Sequence, residues 1–439
     1  MTAIITDKLK NLVVDLIKAN DSDASNKYYA AIGRSEAWND SDVSPTPLRT
    51  KSEENDFRNS MQSMKLVADV SLVIPRYNWS SGTFYSAYDD TQVGNTNAYY
   101  VINANQQVYM VLRASVSATG TAVASTVEPT GNTTGTPFKT SDGYVWKFMY
   151  SISAVDANKF QSANFIPVKN IPFTNVNSSV AEVEQKAIQD KAIHGQIIGY
   201  GIESAGAGYG SAPTLTVRGN GSNAAATATI SGGQVVKVEV ADSSDASLKV
   251  ANFGSGYDYA NVEVSGGGTP SKPAKVRPIL ANSGGLGHDA TIDFKASAIM
   301  FNAKPSGTET LDFVIGQDFR QVGLIKNPQV DSAGHGGNGV STAFTAATGR
   351  ALRKLNFSAV NTAFGEDKTI LGATSGAKAF IDKDSGNSVF YHQNDDTGFK
   401  SFQAGETVSE TDGTGEGVLD SAGAFETTFE VNPHTGELL

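Results

Sequence analysis

Two stretches of this chain repeat one another. GAGYGSAPTLTVRGNG begins at Gly206 and GSGYDYANVEVSGGG at Gly254, which sets Gly208 and Gly256 at equivalent places 48 residues apart. Each copy reads as a Gly-x-Gly-Tyr turn, an alternating strand, a glycine-rich turn and a strand of small residues, Ala224–Ile230 in the first and Pro273–Leu280 in the second. A strand that alternates apolar and polar residues buries only one face, so a short unit of this kind needs a neighbour to cover it. The pattern predicts that residues 196–282 form one β module whose two copies pack on each other. Gly208 and Gly256 are expected at matching turns with positive φ, which a side chain would disfavour. A glycine-rich phosphate cradle would need a following helix, and strands follow here. The module is expected to be separable, so that removing residues 200–280 leaves the rest folded.

The same texture runs beyond the repeat. Forty-four glycines in 439 residues, with 18% charged side chains, describe turn-rich β structure. Helix signals concentrate near the N-terminus. With Thr6 as N-cap, TDKLKNLVVDLIKAN sets Leu9, Leu12, Val13, Leu16 and Ile17 on one helical face. A second helix is expected within SEENDFRNSMQSMKLVADV, opened by Ser52 with acids in its first turn, and a third over residues 178–192. Residues 283–330 read as three strands with a Pro-Ser-Gly turn. Residues 331–431 are small, polar and acidic, with short strands such as KAFID and SVFYH. The expected class is α+β, predominantly β: a multidomain core with N-terminal helices and two inserted β-rich modules. The segments read as 1–195, the N-terminal part of the core; 196–282, the repeat module; 283–330, the second part of the core; 331–431, the acidic module; and 432–439, the start of a C-terminal core segment.

Composition narrows the function. The chain has no cysteine, which rules out disulfide frameworks and thiolate metal sites and fits folding in a reducing cytoplasm. Net charge is −11, and residues 331–439 hold 15 Asp and Glu against 7 Lys and Arg. So acidic a balance lacks the electrostatic footprint of a nucleic-acid binder. No apolar run approaches the roughly 20 residues that span a bilayer. The first residues mix acids with apolar side chains, unlike a secretory leader.

Local signatures of chemistry are weak. Gly334-x-Gly336-x-x-Gly339 matches a dinucleotide fingerprint in letters, but the first acid after it is Glu366 and no βαβ texture surrounds it. DKDSGNSVFYHQ, residues 382–393, begins like a calcium loop with Asp382 and Asp384. Its turn glycine, Gly386, comes one place early and position twelve is Gln393, so a hydrated β-turn is the better reading. The histidines at 194, 288, 335, 392 and 434 include no pair at zinc-ligand spacing. No nucleophile elbow occurs, and nothing selects a carboxylate pair for glycoside chemistry. No catalytic residue, cofactor site or metal site is assigned.

The tryptophans carry the pattern instead. Each of the three sits in a dense motif: GRSEAW at 33–38, VIPRYNW at 73–79 and DGYVWKF at 142–148. A fourth motif, DFRQVGLIKNP at 318–328, sets Phe319 beside Arg320. Arginine can stack on an aromatic ring while bonding a carboxylate, which suits buried core corners and protein interfaces alike. Arg34, Glu36 and Trp38 alternate, so an extended backbone would point all three to one side. A structural anchor, an interface contact and a catalytic cluster all remain open for them.

At these four motifs the chain resembles the baseplate wedge protein of T-even-type contractile-tailed phages, the one present as a dimer in each wedge. The family pattern Gly-Arg-Ser-Glu-Pro-Trp is matched from Gly33 to Trp38 with Ala37 in place of proline. Val-Ile-Pro-Arg-x-x-Trp is matched from Val73 to Trp79, and Asp-Gly-Tyr-Val-Trp from Asp142 to Trp146. Phe-Arg-Gln followed by an apolar strand ending in Asn-Pro is matched from Phe319 to Pro328. The resemblance covers residues 20–175 and 283–330, about half the chain. The two inserts resemble repeat-bearing decorations of marine cyanobacterial phage tail proteins. The resemblance implies a non-enzymatic virion subunit without cofactors, assembled in the host cytoplasm into the tail baseplate. It implies a homodimer that touches other wedge proteins and neither nucleic acid nor membrane. Arg34, Glu36, Trp38, Arg76, Trp79, Asp142, Tyr144, Trp146, Phe319 and Arg320 are then anchors of the wedge core or its interfaces, with the tryptophans buried. A virion adhesin or glycan-binding tail protein is the alternative that the Gly-Tyr repeats and the acidic module suggest. His434–Glu437 is similar to a family segment after which a strand-rich tail follows, so the native product is expected to continue past Leu439 or to leave a sheet edge that a neighbour covers.

Overall fold

The computed structural model describes residues 6–21, 25–34, 36–39, 41–46, 48, 50, 53, 57, 60–131, 133–172, 179–241, 252–303, 319–331, 341–344, 351–394, 396–422, 424, 431–432 and 437–438. Strands far outnumber helices among them, so the fold is α+β and predominantly β. The chain divides into two compact units, one of residues 1–18 and 71–300, the other of residues 19–70 and 301–439. That division differs from a single core with two insertions. Composition changes mark segments, whereas compactness follows strand pairing. Tyr28–Gly33 pairs with Gln321–Lys326, so an N-terminal piece folds with the last third of the chain.

The first unit is built on a four-stranded antiparallel sheet in the order Tyr100–Ile102, Gln107–Arg113, Val145–Ser151, Phe138–Lys139. Its two central strands are buried on both faces and so are mostly apolar, with Lys147 the charged residue inside them. Val108, Met110, Leu112, Val145 and Met149 join Tyr99, Tyr100, Ile166 and Phe294 on one face. Tyr109, Val111, Trp146 and Phe148 join Tyr85, Tyr144 and Ile188 on the other. Ile188 belongs to the helix Val180–Asp190, whose N-cap Ser179 accepts from the Glu182 N–H, close to the expected third helix.

The first helix runs Asp7–Asp21, and Thr6 Oγ1 accepts from Leu9 N at 3.3 Å as its sequence suggests. Its orientation does not follow the apolar stripe. Leu9, Leu12, Val13 and Leu16 are 47–59% exposed, while Asn11 and Val14 are buried. The Asn11 amide donates to the carbonyls of Ala296 (3.2 Å) and Thr291 (3.5 Å), beside the short helix Ala290–Asp293. Side-chain satisfaction of those backbone acceptors sets the docking face. Ala290–Asp293 is itself a correction, because this segment read as strand; Asp289 caps it by accepting from Thr291 N at 2.9 Å. A helix at Ala154–Phe160, capped by Ser153, was not expected.

Of the stretch 52–70 expected to hold the second helix, residues 52, 54–56, 58 and 59 lie outside the described residues and Glu53 and Phe57 are helical, but from Met61 the expectation is corrected, because the chain is a strand to Pro75. Its first part pairs with Tyr28–Gly33, and its last residues, Leu72–Pro75, pair with Phe165–Val168. Burial towards both ends of the strand, together with β-branched residues, overrides the helix propensity of its opening.

The two repeat copies do pair with each other. Thr214–Gly219 of the first lies antiparallel to Ala260–Ser265 of the second. Gly208 and Gly256 have φ of 84° and 75°, and Tyr209 and Tyr257 after them are both buried. The second strands diverge: Ala226–Ser231 forms a hairpin with Gln234–Val240, while Lys275–Leu280 pairs with Ile197–Ser204. The module also packs on the rest of its unit. Ile198, Val240, Phe253 and Ile279 of the module lie in the same hydrophobic cluster as Met110, Leu112 and Val145 of the four-stranded sheet.

In the second unit Gln321–Lys326 also pairs with Glu437–Leu438, and Tyr29, Ala31, Met61, Met64 and Ile325 fill a small core with Phe57 and Phe344. The acidic segment contains a closed six-stranded barrel in the order Arg353–Thr362, Ser388–His392, Lys378–Asp384, Thr369–Gly372, Thr407–Glu410, Glu416–Leu419. Leu355, Ile370, Val389, Val408 and Leu419 form its core, and closure leaves no free sheet edge.

Candidate functional site

The motif residues gather at two corners, one in each unit. In the second unit the strand Tyr28–Gly33 stops where it meets Ser60: a Cβ on Gly33 would lie 2.7 Å from the Ser60 carbonyl oxygen. Arg34 then takes φ 58°. The alternation of Arg34, Glu36 and Trp38 is therefore not that of an extended strand, yet the turn still assembles them. Arg34 Nη1 lies 3.7 Å from Glu36 Oε1, and its guanidinium carbon sits 3.9 Å above the Trp38 ring. Asp42 Oδ1 accepts from the Trp38 N–H (3.2 Å) and from Arg320 Nε (2.7 Å). The Arg320 N–H in turn donates to the carbonyls of Arg34 (3.0 Å) and Gly33 (3.2 Å). Motifs nearly three hundred residues apart meet here because Gly33 pairs with Gln321 in the sheet. The Arg320 hydrogen bond, helped by the Trp38 N–H, holds the Asp42 carboxyl below its ordinary range. Burial is less than expected: Trp38 is only partly buried, and Phe319 is half exposed.

The first unit's corner is tighter. Trp79 Nε1 donates to Ser125 Oγ at 3.1 Å, and Ser125 Oγ donates to Asp142 Oδ2 at 3.1 Å. Asp142 Oδ2 also accepts from the N–H groups of Thr126 (2.8 Å) and Val127 (3.0 Å). Its Oδ1 accepts from Thr140 Oγ1 (2.5 Å), and Thr140 Oγ1 accepts from Trp146 Nε1 (3.2 Å). One carboxylate thus links the tryptophans of two motifs. Burial pushes the Asp142 carboxyl up, but the Thr140 hydroxyl and the Val127, Thr126 and Tyr144 N–H groups outweigh it and hold it below the ordinary range. Tyr144 stacks on Trp146 at 5.5 Å between ring centroids, and its hydroxyl donates to the Val123 carbonyl at 2.9 Å. Trp146 is fully buried; Trp79 is partly so. Arg76 does not join this corner. Its Nε donates to Asn78 Oδ1 (2.8 Å) and its Nη1 to the Ser162 carbonyl (3.0 Å), rather than stacking on Trp79.

Both corners act as fastenings. The Asp142 oxygens are filled by donors from the chain itself, which leaves that carboxylate no lone pair for use as a base. Among the described residues no three His, Cys, Asp or Glu side chains converge for a metal ion. Gly334, Gly336, Gly339, His335 and His434 lie outside the described residues. The calcium-like stretch splits by strand alternation. Asp384 accepts from Gly386 N at 2.9 Å in the turn, whereas Asp382 faces inward to His392. Among the described residues no helix is long and apolar enough to cross a membrane.

Sequence reading missed one buried charged pair, Lys147 and Asp293. Lys147 Nζ donates to the Leu286 carbonyl at 2.6 Å; Asp293 accepts from Gly287 N (2.7 Å) and Asn282 Nδ2 (3.0 Å). Burial lowers the Lys147 ammonium to about 8 and raises the Asp293 carboxyl to about 6, while the charge of each partner opposes the shift. A lone lysine inside the apolar run VWKF was the available signal.

Compared with known proteins, no protein-family model matches the chain and no curated protein matches it.

Proposed function

We propose that the chain is a structural subunit of a contractile phage tail: a baseplate wedge protein, homodimeric and without catalytic residues, cofactor or metal. It joins other wedge proteins as the baseplate assembles in the host cytoplasm and takes part in the rearrangement that triggers contraction. Nucleic acid and membrane are not among its partners. The observation that supports this reading is the pairwise meeting of the four resembling motifs. GRSEAW meets DFRQ through Asp42 and Arg320, and VIPRYNW meets DGYVW through Ser125 and Asp142. Motifs that fasten a fold explain such joints without a substrate.

A closed two-fold dimer with an interface above about 1,000 Å² is expected. Light scattering on the purified chain, alone and mixed with candidate wedge proteins, tests it. Twice the 46.1 kDa chain mass is expected, and a monomer at micromolar concentration in both samples would contradict the reading.

A further inference from the structure

The helix Asp7–Asp21 turns Leu9, Leu12, Val13 and Leu16 outward, each about half exposed. Single exposed leucines are ordinary, but four apolar side chains on adjacent turns of one helix make a contiguous patch of the kind that proteins cover. The helix is fixed in this orientation. Asn11 and Val14, on the opposite side, are buried, and the Asn11 amide donates to the Ala296 and Thr291 carbonyls.

The spacing of the patch points to its occupant. Leu9, Leu12 and Leu16 fall at positions a, d and a of a heptad, with Val13 at e, which is the seam one helix offers another. Lys8 and Asp15 fall at the two flanking g positions. In an antiparallel pair, a residues pack against d residues and g positions face g positions. A second copy of this helix, run antiparallel about a two-fold axis, therefore sets Leu9 against the partner's Leu12 and Lys8 against the partner's Asp15, each contact occurring twice. Sliding the pair by one heptad would set Asp15 against the partner's Asp15, and a parallel pair would face Lys8 with the partner's Val13. Charge thus selects one orientation and one register.

Both charges are available for this pairing. Lys8 is exposed, and neither its side chain nor that of Asp15 makes a hydrogen bond or ion pair among the described residues. Burial and the nearby Asp289 push the Asp15 carboxyl up, with Lys18 opposing them, so a further cation beside it is favourable. So short a seam would not pair in isolation, but each helix is already docked on a folded unit, and pairing costs no helix-forming entropy.

We infer that this helix face is a docking surface for a second copy of the chain, the two helices packing antiparallel across a two-fold axis. The inference rests on the homodimer proposed above and names the face that forms it.

Sedimentation velocity on the full chain over a dilution series tests it, with circular dichroism confirming that each variant folds. The wild type is expected to dimerise. Leu12→Asp, at a position exposed in the single chain, is expected to weaken the dimer about a hundredfold, because pairing would bury two unpaired carboxylates. Lys8→Asp and Asp15→Lys alone each bring like charges together twice and are expected to weaken it about tenfold. Combined, they exchange the two signs and are expected to restore it. An unchanged dissociation constant in Leu12→Asp would overturn the inference and leave the homodimer standing on another face. Failure of the combined variant to restore pairing would overturn the antiparallel arrangement. A wild type that stays monomeric at every concentration would overturn the inference together with the homodimer, and binding of a different wedge protein that Leu12→Asp abolishes would assign the face to that protein instead.

Discussion

Replacing Asp142 with alanine removes an acceptor that serves Ser125 Oγ, Thr126 N, Val127 N and Thr140 Oγ1 at 2.5–3.1 Å. A hydrogen bond to a charged group contributes about 1.5–3 kcal/mol, and a group left without its acceptor loses more. Asp142 is partly exposed, so water takes over some of the freed donors. A loss of about 3 kcal/mol is expected for the first unit, and about half of that for Asp142→Asn, which keeps one acceptor oxygen. The sign with pH follows from the depressed carboxyl. Its contribution is complete above the ordinary carboxylate range and disappears as pH falls through the lower folded value. The wild type and Asp142→Ala should therefore differ by a constant amount from pH 7 to about 5 and converge below about 4. Urea unfolding in a Trp38→Phe background reads this directly, because emission then comes from Trp79 and Trp146, both in that unit. A loss below about 0.5 kcal/mol, or a gap that persists undiminished to strongly acid pH, would refute the hub role of Asp142.

Trp146→Ala should cost about 3–5 kcal/mol by the same assay, read from Trp79, as for other fully buried aromatics, whereas Trp38→Ala, at a partly buried ring and followed by circular dichroism in the otherwise unchanged chain, should cost clearly less. Gly206→Ala should destabilise by about 1–3 kcal/mol, since φ is 67° and the new Cβ would meet Ala274 N and Lys272 O at 2.7 Å; thermal melts check it. The Lys147–Asp293 pair predicts a dip in stability near neutral pH. The raised Asp293 makes stability fall as pH rises from its unfolded value towards about 6, and the lowered Lys147 makes it recover only as pH climbs above about 8. Lys147→Met with Asp293→Asn should flatten that part of the urea-derived profile, and an unaltered dip would show that other groups cause it.

Parts of this fold were written locally and others were not. The repeat announced itself because glycine alone adopts positive φ freely, so Gly208 and Gly256 mark their turns whatever surrounds them. The cap at Thr6 was legible too, because its hydroxyl accepts from a backbone N–H only three residues on. The face on which Asp7–Asp21 docks was not, because two distant carbonyls decide it through Asn11 rather than the apolar stripe. At the tryptophan corners the motifs were visible but their joints were not. Ser125 lies in a stretch with no pattern of its own and becomes the link between Trp79 and Asp142 only in three dimensions.

The proposed place of this chain in a contractile tail is measured most directly by a cryo-electron reconstruction of contractile-tailed particles from the source of the chain. Two copies per baseplate wedge are expected, related by a local two-fold axis and in contact with other wedge proteins. Density for the chain only at a fibre tip or on the capsid, or its absence from the particle, would contradict it.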